Sequence, residues 1–130
     1  MRWLFLFLFV STLNIGYSQS YQSVLSSIKA DKDSLLKIYE SGDSITKYSA
    51  LINAEILLYD ELINNVFPQW YGTDWDYEGY TNAPKKGQVA CGYFVSTPLK
   101  HIGFNLNRYK LAQKYSHAIV NTLCANVQSI

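Results

Sequence analysis

The stretch Asp43–Pro68, DSITKYSALINAEILLYDELINNVFP, places apolar side chains at Ile45, Tyr48, Ile52, Ile56, Tyr59, Ile63 and Val66. Every step is three or four residues, the period of an α-helix with one apolar face. Asp43 or Ser44 supplies the cap, and Leu51, Leu58 and Leu62 widen the stripe as in a helix packed on two neighbours. Pro68 brings no backbone N–H and biases Phe67 toward an extended conformation, so the helix is expected to end there. Upstream, Val24, Leu25, Ile28, Leu35, Leu36, Ile38 and Tyr39 form a looser helical pattern between Tyr21 and Tyr39, closed by Ser41-Gly42 as a glycine C-cap. The Leu and Ile stripes of both helices are expected in the core, and residues 19–66 make an N-terminal helical region.

The 130 residues carry eleven Lys and Arg against ten Asp and Glu. Nucleic-acid binders show a basic excess, so that partner is not expected. Hydrophobic residues make up 48% and charged ones 16%, which excludes intrinsic disorder and fits one small packed domain. Met1-Arg2, the apolar run Trp3 to Val10 and the small residues Gly16 and Ser18 read as a signal peptide over residues 1–18. The run breaks at Ser11-Thr12 and Asn14, short of the roughly 20 apolar residues a spanning helix needs, so no stable membrane anchor is expected. The expected location is secreted or periplasmic. Cys91 and Cys124 are expected to stay unpaired, because Cys124 falls with Val120, Leu123 and Val127 on an apolar side of the last helix. There is no Cys-x-x-Cys, and His101 and His117 sit at no zinc-like spacing, so neither metal nor cofactor is expected.

From Phe67 to Lys86 the character changes to an irregular loop dense in aromatics, with Phe67, Trp70, Tyr71, Trp75, Tyr77 and Tyr80 punctuated by Gly72, Gly79 and Pro84. Structureless stretches of this length are uncommon in compact domains unless they serve a function. Trp70, Tyr71, Trp75 and Tyr77 are the candidate substrate-binding residues, with faces suited to sugar rings or peptide stems and equally to capping a core. Asp74, Asp76 and Glu78 imitate the start of a calcium loop, but Lys85 occupies the twelfth place where a bidentate Glu belongs, which leaves a solvated loop.

Beyond Lys85-Lys86-Gly87, the extended piece Gln88-Val89-Ala90 leads into Cys91. Phe94, Val95, Leu99 and Ile102 then continue at helical spacing to Gly103, and Pro98 is expected to kink or shorten that helix. A final helix capped by Asn105 or Asn107 carries Leu111, Tyr115, Ile119, Leu123 and Val127 on one face. The chain therefore reads as mostly α, with about four helices and an aromatic-rich loop.

Cys91 is the candidate nucleophile. In the first turn of a helix a cysteine meets unpaired backbone N–H groups and the positive end of the helix dipole, which favour its anion, and the same amides can hold an oxyanion. Gly92 is expected to leave room for a substrate backbone. The series Trp70-Tyr71-Gly72-Thr73-Asp74-Trp75, Gly79, Pro84-Lys85-Lys86-Gly87-Gln88-Val89-Ala90-Cys91-Gly92-Tyr93-Phe94-Val95, Gly103-Phe104, Leu106-Asn107-Arg108 and Gln113 resembles the NlpC-type cell-wall cysteine peptidases. The resemblance covers about a third of the chain. It implies an α+β papain-like fold, of which residues 67–130 would be the nucleophile half. It also puts Cys91 on the nucleophile, Phe94-Val95 on the packing pair behind it, Arg108 and Gln113 on the segment after the helix, and Trp75 near the aromatic lining of the cleft. Ala90 stands in place of the family's acid, Gly92-Tyr93 in place of Ser-Gly, and Asn107 in place of proline.

That family draws its catalytic histidine from a strand well after the nucleophile helix, whereas the sequence after Cys91 reads as helical throughout. His101, ten residues on, is about 15 Å away along a helix, and His117 reads as a surface or packing residue. The expectation is a secreted papain-like cysteine hydrolase acting on amide bonds of a peptide or peptidoglycan stem, in a truncated or inactive form. The alternative is a non-catalytic secreted helical domain that binds peptide or glycan through the loop from Trp70 to Tyr80.

Overall fold

A computed structural model describes residues 20–124; the signal assigned to residues 1–18, and Val127 of the last stripe, lie outside the described residues. Helix α1 (Tyr21–Ser41) is capped by Ser20, whose side chain accepts the Ser23 N–H, and α2 (Ser44–Glu61) by Asp43, which accepts the Thr46 N–H at 2.9 Å. Gly42 between them is extended rather than left-handed, so it is no glycine C-cap of the expected kind. A Cβ there would lie 2.6 Å from Thr46 Cγ2 and 2.9 Å from the Ile38 carbonyl oxygen. The corner needs a residue without a side chain.

Pro68 does not end the second helix. Leu62–Val66 form a π-helical turn that runs directly into α3 (Phe67–Trp70), and Phe67 is helical at φ −60°, ψ −39°, its N–H bonded to the Leu62 carbonyl. A π turn widens the helix and shifts the hydrogen-bond register by one residue, which relieves the clash between a proline ring and the carbonyl four residues back.

The packed core lies where Val24 and Ile28 of α1 meet Val66 and Ile102, flanked by Tyr21, Leu25, Leu58 and Leu62. The main apolar stripe of α2 is not part of it, contrary to the sequence reading. Ile45 is 77% exposed, Tyr48 68%, Ile56 59% and Tyr59 67%, while Ala50 is buried. Leu36 and Ile38 of α1 are exposed as well. The two helices form a hairpin with each other, and burial of the small Ala50 lets them approach closely while the large side chains face away.

Residues 67–86 are not irregular throughout. Strand β1 (Asp74–Trp75) pairs in parallel with β2 (Gln88–Val89), Asp74 opposite Gln88 and Trp75 opposite Val89. The extended lead then enters α4 (Cys91–His101), as expected from sequence. Pro98 sits inside α4, which continues three residues beyond it to His101. There the Lys32 ammonium donates to the Ile102 carbonyl at 2.6 Å, a cation at the negative end of the helix.

The expected single last helix is broken into α5 (Arg108–Ala112) and α6 (Ser116–Leu123). Asn107 caps α5, its side chain accepting from the Tyr109 and Lys110 N–H groups. Tyr115 is extended at the break and 74% exposed, whereas Leu111 and Ile119 stay buried. Among the described residues, no helix is long and apolar enough to cross a membrane.

Gly92 is packed, not open to a substrate. A Cβ on it would overlap the Ala112 carbonyl oxygen, so the absence of a side chain lets α4 and α5 lie against each other. Gly→Ala inside a helix ordinarily gains up to about 1 kcal/mol, but overpacking against backbone costs about 1–3 kcal/mol or more. Gly92→Ala is expected to lower unfolding stability by about 2 kcal/mol, read from urea denaturation; a stabilised variant would refute the close α4–α5 contact.

Candidate functional site

Cys91 is the first residue of α4, and its position is set by the strand before it. On one side of β2 the Asp76 N–H donates to the Val89 carbonyl (3.3 Å); on the other the Thr81 N–H donates to the Gln88 carbonyl (2.9 Å) and the Ala90 N–H to the Gly79 carbonyl (2.8 Å). Gly79 makes this possible, because a Cβ on it would fall 2.6 Å from backbone atoms of Gln88 and Val89. The lead into the cysteine is thus clamped from both edges.

Ala90 stands at the N-cap of α4 in an extended conformation and provides no side-chain cap. The amides of the first turn are left without the oxygen that Ser, Thr, Asp or Asn would bring. Cys91 is exposed and unpaired, as is Cys124. Behind Cys91, Phe94 stacks on Phe67 with ring centroids 5.5 Å apart, which ties α4 to the end of the first hairpin.

Arg108 locks the rest. Its guanidinium donates to the Thr97 hydroxyl (2.9 Å), the carbonyls of Thr81 (3.3 Å) and Tyr80 (3.1 Å), and the Tyr109 hydroxyl (3.2 Å). The rings of Tyr93 and Tyr109 lie 5.2 and 4.5 Å from it. The residue that the family resemblance put after the nucleophile helix is therefore a buried cross-link between the aromatic loop, α4 and α5.

The four aromatics proposed for substrate binding separate into two sets. Trp70 is 1% exposed and belongs to the core, its ring edge-on to Tyr21; it ends α3, the helix that the sequence reading replaced with loop. Tyr71, Trp75 and Tyr77 are exposed, together with Tyr80. Trp75 pairs with Val89, two residues ahead of Cys91, so the surface aromatics belong to the loop that frames the thiol. The acids of the calcium-like stretch serve local structure instead: Asp74 is in β1, and the Asp76 carboxylate accepts the Glu78 N–H at 2.8 Å. Among the described residues, no group of three or more His, Cys, Asp or Glu side chains is arranged to hold a metal ion.

Neither histidine serves Cys91. His101 ends the same helix, and its ring bridges the Tyr21 hydroxyl at Nδ1 (2.9 Å) and the Asn82 side-chain oxygen at Nε2 (3.2 Å), beside the Tyr21 and Trp70 rings. The neutral tautomer with hydrogen on Nε2 satisfies both bonds. His117 is exposed on α6 and hydrogen-bonded at Nδ1 to Asn121. No sequence pattern points to the His101 cluster, because its members come from four separate segments and no local spacing links them.

Burial pushes the His101 imidazole below its ordinary pKa, and the Arg108 charge adds to the shift. Burial raises that of the Tyr21 hydroxyl. Comparison with protein-family models, with curated proteins and with solved structures finds no match to this chain.

In the unfolded chain His101 titrates near ~6.5, while the folded chain takes up that proton only at lower pH. Between the two values the unfolded state binds more protons, so stability rises with pH. The contribution is complete above ~6.5 and is lost as pH falls through the folded value. His101→Gln is expected to flatten the fall in urea midpoint between about pH 7.5 and about pH 5; an unchanged fall would assign it to other groups.

Proposed function

We propose that the chain is the nucleophile-bearing part of a secreted papain-like cysteine hydrolase, with Cys91 attacking amide bonds of a peptide or peptidoglycan stem. The observation that carries this reading is the placement of an exposed thiol on the first residue of α4, ahead of uncapped first-turn amides and behind a strand clamped on both edges. The Cys91 sulfur anion would add to the amide carbonyl carbon, and the developing oxyanion would be held by backbone N–H groups at the helix head. Collapse forms a thioester on Cys91 and expels the amine, which must gain a proton; water then attacks the thioester to release the acid and return the thiol. Both proton transfers need a general acid and base. His101 and His117 are engaged elsewhere, so the described residues supply a nucleophile and oxyanion donors without a positioned base.

Alkylation of Cys91 by iodoacetamide is accordingly expected to be several-fold faster than that of Cys124, although both are exposed, while amide hydrolysis by the chain stays slow. Mass mapping of a labelling time course reads the first, and Cys91→Ala should remove the fast phase without unfolding. Equal rates at the two thiols would count against the helix-head reading.

The exposure of Tyr71, Trp75, Tyr77 and Tyr80 favours a second reading, in which the same face binds peptide or glycan without cleaving it. Under either reading Trp75→Ala and Tyr77→Ala are expected to weaken binding of a peptidoglycan-stem fragment by about tenfold each, roughly 1.4 kcal/mol, at unchanged melting temperature. Titration calorimetry with a soluble muropeptide measures this. Unaltered affinity in both variants would place the ligand elsewhere.

A further inference from the structure

The exposed stripe of α2 is self-complementary. Read from the N-terminal end it runs Ile45, Tyr48, Ile52, and then Ile56, Tyr59 and, in the π turn that follows α2, Ile63, so that an Ile-Tyr-Ile triplet recurs in reverse order about a centre at Ala54. From Ile45 to Tyr59 the row spans 14 residues of α2, about four turns, and Ile63 follows in the π turn, so the row runs along one face and contains no charged side chain. Exposures of 77, 68, 38, 59, 67 and 47% along the row show that nothing among the described residues covers it. On the opposite side of the helix Ala50 is buried.

A row that reads the same in both directions meets itself when a second copy is turned through a two-fold axis perpendicular to the helix. Such an interface is isologous: if residue i touches j, then j touches i. With the axis at Ala54, Ile45 faces Ile63 of the second copy, Tyr48 faces Tyr59, and Ile52 faces Ile56. At roughly 150–250 Å² for a large side chain and an average exposure of about three-fifths, the six side chains present about 500–900 Å², a range that includes the ~800 Å² each partner contributes to a standard stable interface. An apolar patch of that size exceeds the few hundred Å² usual on a monomer. From these observations we propose that the chain forms a symmetric homodimer through antiparallel contact of its α2 helices, with the α1 helix of each copy on the far side of its own α2.

This inference stands apart from the chemistry of Cys91. Sedimentation equilibrium of the purified chain at micromolar concentration is expected to give the mass of a dimer. Tyr48→Glu combined with Ile56→Glu, both at exposed positions, should raise the dissociation constant at least about 100-fold while the circular dichroism of the monomer is unchanged. In a Cys91→Ser, Cys124→Ser background, an equimolar mixture of the Ile45→Cys and Ile63→Cys chains should cross-link on oxidation, and neither chain should do so alone. A monomer at about 100 μM, a level well above typical dimer affinities, would overturn the proposal. So would a dimer indifferent to the paired Glu substitutions, or cross-linking of Ile45→Cys with itself, which is the signature of parallel pairing.

Discussion

Arg108 is nine-tenths buried, and among the described residues no carboxylate pairs with its guanidinium. Taking a cation out of water costs several kcal/mol unless its donors are used. Here they are used on two backbone carbonyls, a threonine hydroxyl and a tyrosine hydroxyl, while two aromatic rings flank the planar group. Those partners come from three segments of chain: Tyr80 and Thr81 from the loop, Tyr93 and Thr97 from α4, Tyr109 from α5. Arginine suits the position because its planar fork reaches several acceptors at once and stacks on rings, which a lysine ammonium does neither as well.

What Arg108 holds is the framework of the thiol. By accepting from it, the carbonyls of Tyr80 and Thr81 fix the strand-like segment that pairs with β2. The Thr81 hydroxyl extends the same arrangement by donating to the Lys86 carbonyl across the turn. Gly79 and Gly92 then allow two close backbone approaches, one on each side of Cys91. The chain thus spends a buried cation and two glycines on one end of α4, more than an incidental surface cysteine would need.

The other end of α4 is built differently. His101, Tyr21, Trp70 and Asn82 form a polar and aromatic cluster where the helix meets α1 and α3, and Lys32 reaches across to the final turn. This is the seam between the helical hairpin and the cysteine-bearing region. A neutral imidazole there makes the seam sensitive to acid. Among the described residues the hairpin is held by that seam, by the core around Val66 and by the Phe67–Phe94 stack, and the outer face of α2 is left apolar and uncovered.

Local sequence settled the features whose physics is local. The caps, offered by the sequence as Asp43 or Ser44 and as Asn105 or Asn107, fall on Asp43 and Asn107, and they, the extended lead Gln88-Val89 and the start of a helix at Cys91 depend on groups within a few residues of each other. The period of the α2 stripe correctly gave a helix, but period reports only that one face is apolar and carries no information on whether anything covers it. Pro68 was read by its missing N–H, yet a π turn just before it absorbed the misfit. Tertiary packing alone decided that Trp70 is core while Trp75 is surface, that Gly92 receives the backbone of α5 instead of a substrate, and that His101 bonds Tyr21 eighty residues away. Sequence by itself thus determined a mostly helical chain with a cysteine at a helix head; only the tertiary structure decided which apolar and polar side chains are buried, because burial depends on partners brought together across the whole length of the chain.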